Sequence, residues 1–151
     1  MITFHTDGRA AMPDLNYRQV IRWIEAVAES YDRHIGDINY IFVDDAYILE
    51  INRRFLEHDY YTDIITFDYT LGRILSGDLY ISLDTVDTNA VLVGSTYKEE
   101  LLRVVIHGIL HLCGINDKGP GEREQMEAAE DKALTLLQSI TENESINNLK
   151  K

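Results

Sequence analysis

The stretch TYKEELLRVVIHGILHLCG, residues 96–114, decides how this chain is built. Thr96 followed three residues later by Glu99 is a capping box, the side-chain pattern that satisfies the free amides at a helix start. From Leu101 to Leu112 the residues are apolar on almost every side. A helix that is apolar all round has no solvent face, so this one is expected to run through the middle of the molecule. Gly114 then ends it, because glycine accepts the left-handed conformation that closes a helix.

Outward from that helix, the pattern gives an element order. Ile2–Thr6 reads as a first strand. Asp14 caps a helix to about Tyr31, with Val20, Ile21, Ile24, Val27 and Ala28 at helical spacing. Asn39–Val43 is a second strand, and Asp44–Asp45 caps a helix whose Ile48, Ile51 and Phe55 share a face. Ile64–Tyr69 and Leu79–Leu83, separated by a stretch containing Gly72 and Gly77, predict paired strands. A shorter helix covers Asp84–Val93, and a last helix follows from about Glu122 to Leu137. Strand, helix, strand, helix, two strands and three helices predict an α+β fold: a small mixed β-sheet with one face covered by helices, around the buried central helix. Residues 1–140 are read as one domain and the polar segment 141–151 as a frayed tail.

Composition narrows the class. The 151 residues are 45% hydrophobic and 26% charged, as in an ordinary globular domain. A chain of this size buries roughly 70% of its unfolded surface, enough for one core. One cysteine excludes a disulfide framework and a four-thiolate metal site, and suits a reducing compartment. No apolar run reaches the roughly 20 residues that span a bilayer, and MITFHTDGRA lacks the features of a signal peptide. A cytoplasmic protein without membrane attachment is expected. The net charge of −12 argues against tight, non-specific binding to a phosphate backbone.

Chemistry concentrates on the central helix. His107 and His111 are one turn apart, which brings their Cβ atoms to about 5–6 Å on one face. Two imidazoles inside an otherwise uncharged helix demand partners, and a shared metal ion supplies them. Beyond the Gly114 bend, Asp117 can return a carboxylate to the same point. The spacing echoes zinc peptidases that place a glutamate general base directly after the first histidine. Here that neighbour is Gly108, so the frame of ligands is present and the peptidase base is missing. Cys113, on another face of the helix, reads as packing.

The stretch His107-Gly-Ile-Leu-His111-Leu-Cys-Gly114-Ile-Asn-Asp117 resembles the signature of the YbeY family, His-Gly-x-Leu-His-Leu-x-Gly-Tyr-Asp-His. Asn52 with Thr62-Asp63-Ile-Ile-Thr66-Phe67 is similar to a second family motif, and Ser76-Gly77-Asp78-Leu-Tyr-Ile-Ser82 to a third. The resemblance implies a zinc-dependent endoribonuclease that cleaves single-stranded RNA. Its expected work is maturation of the 3′ end of the small-subunit (16S) ribosomal RNA and ribosome quality control. Ribosomal RNA and ribosomal particles or proteins are the implied partners. His107 and His111 carry over as ligands. The family's third histidine is Asp117 here, kept as a ligand because a carboxylate binds zinc at similar distance. It leaves the ion less positive than three imidazoles would, and makes manganese or iron more plausible occupants.

A second departure is Leu56, where the family has a phosphate-holding arginine. Arg53 and Arg54 lie close enough to replace it, or they form an ordinary solvated helix face. His58 is a candidate proton donor or RNA contact, or a plain surface histidine. Asp63 and Asp78 suit turn and strand-start roles. No side chain is assigned as the catalytic base, and water activated by the ion is expected to carry the reaction. The acidic last helix, with Glu122, Glu124, Glu127, Glu130 and Asp131, should repel RNA. Binding then needs a local cleft near Arg53, Arg54, Arg103 and Lys118, or cations from the ribosome. Two other readings remain open, a ribosome-assembly factor with a structural metal and a metallohydrolase of another substrate. The sequence leaves the oligomeric state open.

Overall fold

The computed structural model describes residues 1–56 and 62–149. Among these, the elements follow the expected order: β1 (Ile2–Thr6), α1 (Tyr17–Ser30), β2 (His34–Val43), α2 (Asp45–Phe55), β3 (Ile64–Asp68), β4 (Ile74–Ser82), α3 (Leu83–Val93), α4 (Tyr97–Leu112) and α5 (Glu122–Leu149). The sheet order is β1-β2-β4-β3. β1 runs parallel to β2 and β2 parallel to β4, while β3 returns antiparallel to β4. The α+β class and the mixed sheet stand as expected.

Alternation along the strands sorts side chains between two faces. On one face, Ile38, Tyr40 and Phe42 of β2 and Leu75, Leu79 and Ile81 of β4 are buried with Trp23, Ile24 and Val27 of α1 and with α4. Two polar handles of this core are satisfied by helix carbonyls: Tyr40 donates to Val105 O at 2.8 Å, and Trp23 Nε1 donates to Ala133 O at 2.7 Å. The opposite face carries a separate cluster of Val43, Ile48, Ile51 and Ile65. Helices therefore lie on both faces, not one. Ile48 and Ile51 give α2 an apolar stripe that must be buried, and the outward residues of β2 and β3 receive it.

The ends of elements differ in instructive ways. Asn16, not Asp14, caps α1, accepting from Gln19 N at 3.2 Å. The intervening Leu15 is buried and holds the approach to the helix in the core. Asp44 and Thr96 cap α2 and α4 as expected. α5 continues past Leu137 to Leu149, so the segment expected to fray from residue 141 is helical as far as it is described. No glycine or proline interrupts residues 122–149, and α1 grips the extension. Arg22 pairs with Glu144 at 2.6 Å, and Gln19 donates to the same carboxylate at 2.9 Å. No helix among the described residues is long and apolar enough to cross a membrane.

Candidate metal centre

α4 is pressed against the sheet so closely that its own composition follows. A Cβ on Gly108 would stand 2.2 Å from Leu79 Cδ2 and 3.0 Å from Ile64 Cδ1. There is no space beside His107 for the glutamate that the zinc peptidases use. The helix ends in a Schellman motif: Gly114 N donates to His111 O at 2.9 Å and Ile115 N to Leu110 O at 3.1 Å. Gly114 takes φ +97°, which a side chain would resist. The reversal carries the chain back along the face that bears the histidines.

Asp117 arrives there. Its Oδ2 lies 3.3 Å from His107 Nε2. Two donors bonded to one tetrahedral zinc at 2.0–2.1 Å are separated by roughly 3.4 Å, so this pair stands at the spacing of two ligands of one ion. His111 lines the same cleft, about 250 Å³ in volume, together with Asn52, Leu56, Thr62, Asp63, Thr66 and Lys118. Among the described residues no three His, Cys, Asp or Glu side chains close around a single point. His107 and Asp117 are brought together, and the second imidazole stands on the wall of the same cleft. Both the chemistry of this set and the spacing of the pair fit a divalent transition metal.

Behind His107 lies a residue that the sequence reading placed outside. Glu130 of α5 is only 6% exposed, and its Oε2 is 2.7 Å from His107 Nδ1. The acidic outer face of α5 therefore lacks one member. Met126, Glu130, Ala133 and Leu137 form its inward stripe, and a carboxylate inside an apolar stripe was the available signal. Arg103 turns the same way. It donates to Glu130 Oε1 at 2.8 Å and to Asp131 Oδ1 at 2.6 Å, so both arms of its guanidinium are engaged by carboxylates of α5.

This network sets the local charge. Burial opposes a charged His107, but the Glu130 hydrogen bond and the carboxylates of Glu130, Asp117 and Asp63 outweigh it and raise the imidazole above its ordinary value. Burial pushes the Asp63 carboxyl up, against the opposing pull of His107. The backbone carbonyl of Asp63 accepts from Ser82 N at 2.9 Å at the start of β3, while the residue also lines the cleft. Asp78 bridges strands, accepting from Asn39 Nδ2 at 3.0 Å. Burial raises the Cys113 thiol to about 11, which suits packing and not ligation.

From α2, Asn52 and Leu56 line the cleft, while Arg53 and Arg54 are exposed on the last turn. Arg54 lies 3.9 Å from Glu50. Leu56 stands at the cleft itself, and Lys118 is the Lys or Arg among its described lining residues. His58 lies outside the described residues.

Residues 4–138 match the family model for Endoribonuclease YbeY. The chain belongs to the YbeY family. Endoribonuclease YbeY of Bacteroides fragilis is 62% identical over 135 residues, covering 89% of this chain and 96% of that protein. The Bacteroides thetaiotaomicron relative of the same name is 62% identical over 89% of this chain and 98% of its own. That of Porphyromonas gingivalis is 50% identical over 91% and 90%. In three dimensions, the solution structure of TM1509 from Thermotoga maritima superposes with a TM-score of 0.60 at 28% identity, over 92% of this chain and 93% of that one. Membership in this endoribonuclease family assigns the chain to the enzymes, as hydrolases of nuclease type, in agreement with the three motifs between Asn52 and Asp117.

Proposed function

We propose that this YbeY-family chain is a metal-dependent endoribonuclease that cuts single-stranded RNA in the cleft between α2, β3 and α4. Its biological role, on this reading, is maturation of the small-subunit ribosomal RNA 3′ end and ribosome quality control in the cytoplasm. The observation that carries it is the His107–Asp117 pair at ligand spacing, opening on a cleft that His111 also lines. His107, His111 and Asp117 would hold the ion, zinc first and manganese or iron as alternatives. When bound, such an ion polarises a phosphate oxygen and activates water.

The chain's own residues do the rest. Lys118 offers a charge-assisted donor to an RNA phosphate at the mouth of the cleft. Arg53 and Arg54, flanked by the cleft-lining Asn52 and Leu56, add positive charge on the outer rim. Thr62 and Thr66 supply hydroxyl donors on the β3 side. With a net charge of −12, this small set of cations gives weak affinity for free RNA, so ribosomal particles or proteins must deliver the substrate.

The test is metal content together with cleavage of a defined ribosomal RNA precursor, wild type against His111→Ala. That variant leaves the Glu130–His107–Asp117 line untouched. Cleavage should fall on the order of 1,000-fold, the equivalent of several kcal/mol of transition-state stabilisation, with circular dichroism unchanged. Wild-type cleavage by the variant would sink the proposal. Collapse of its fold would favour an assembly factor with a structural metal.

A further inference from the structure

We propose that Glu130 is the positioning residue of this centre: its carboxylate turns the His107 ring so that Nδ1 faces the protein and Nε2 faces the cleft. The inference rests on the reading of the cleft as a metal site. It begins from a feature of α5 that core packing alone does not require. A buried carboxylate is costly unless it is paired and hydrogen-bonded, yet Glu130 occupies the inward stripe of α5 between Met126 and Ala133. Each of its oxygens has one directed partner. Oε2 meets His107 Nδ1 at 2.7 Å, and Oε1 accepts from Arg103 at 2.8 Å. The other arm of the same guanidinium is tied to Asp131 at 2.6 Å. The guanidinium prong on Oε1 holds the carboxylate, and the carboxylate fixes the ring.

The hydrogen bond at one imidazole nitrogen determines which nitrogen is left for a metal, and a carboxylate in that position makes the ring a stronger donor. The free end of this ring is the nitrogen that meets Asp117 at 3.3 Å. The two histidines are therefore unequal. His107 is set by an element that follows it in the chain, whereas His111 has no such carboxylate behind it among the described residues. His107 is the pre-oriented ligand, and Glu130 acts through it without reaching the substrate.

The experiment is a Zn²⁺ titration in competition with a chromogenic chelator, on wild type, Glu130→Gln and Asp131→Asn. Gln keeps the shape and removes the charge. It should weaken Zn²⁺ binding by about 10–100-fold. Asp131, on the exposed side of the fork, should change binding by less than about fivefold when replaced by Asn. In parallel, ¹⁵N-resolved imidazole spectra of the zinc-loaded wild type should show a slowly exchanging Nδ1–H on His107 and metal at Nε2. That measurement needs no variant, so it decides the matter even if Glu130→Gln does not fold. Wild-type Zn²⁺ affinity in Glu130→Gln, or metal at Nδ1 of His107, overturns the positioning role alone. A wild type that binds no Zn²⁺ overturns the metal centre with it.

Discussion

The two walls of the cleft are built by different means. The α4–α5 wall is made by packing and charge together. His107, Glu130, Arg103 and Asp131 form one hydrogen-bonded line, and Gly108 lets the helix lie against Leu79. The α2–β3 wall is more open. It offers Asn52, Leu56, Thr62 and Thr66, and its apolar support is the small cluster around Ile48, Ile51 and Ile65, while Lys118 reaches the cleft from the loop after α4. The contrast separates two tasks. A metal needs donors fixed to a fraction of an ångström, whereas a single-stranded polymer is met by adaptable polar and cationic groups.

Adding one carbon should damage the first wall most. Gly108→Ala places a methyl inside the side chain of Leu79, itself fully buried with no room to retreat. Overpacking costs about 1–3 kcal/mol, and the better helix propensity of alanine returns about 1 kcal/mol or less. A net loss of about 1–2 kcal/mol is expected in urea unfolding, with weaker Zn²⁺ binding as α4 is pushed outward. Unchanged stability would mean that the α4 wall is far looser than its geometry.

The cationic lining of the cleft should respond in substrate handling and not in folding. Lys118→Ala is expected to raise KM for RNA several-fold and to lower the salt slope of binding by about one, with Zn²⁺ affinity unaltered. A change in metal affinity instead would mean that Lys118 acts through its neighbour Asp117 and not on RNA.

A smaller effect tests the interior behind both. Glu100 is 9% exposed, and its Oε2 has no hydrogen-bond partner among the described residues. Burial raises its carboxyl, partly offset by Arg103 and reinforced by Asp63 and Glu130. Because the folded value lies above the unfolded one, the associated stability is full below about pH 4.3 and is lost as pH rises through the raised folded value. Glu100→Gln cannot make that loss. It should be more stable than wild type at neutral pH by about 1 kcal/mol or less, with the difference vanishing in acid. A variant less stable at both pH values would show that Glu100 has a partner worth keeping.

What could be read from the sequence follows the range of the interactions. Thr96, Gly114 and the reversal to Asp117 act over a few residues, and each stands where the spacing put it. The adjacency of β3 and β4 was readable for the same reason, and the structure shows it to be antiparallel. Glu130 meets His107 across 23 residues, and nothing local marks it except its place in an apolar stripe, which its acidic neighbours conceal. Arg103 illustrates the same blindness. On a helix facing a cleft it reads as a hand for phosphate, until the docking of α5 supplies two carboxylates. The covering of the second sheet face by α2 and the hold on the end of α5 also involve partners farther away along the chain, Tyr80 of β4 against Tyr47 for one and Arg22 for the other.

One consequence of the α5 arrangement concerns time. Synthesis proceeds from the amino terminus, so His107, His111 and Asp117 all emerge before Glu130. A nascent chain therefore holds these three side chains before it holds the group that orients the first of them. The orientation of the first histidine is completed by a later segment than the one that carries it, and a product terminated before α5 would lack it.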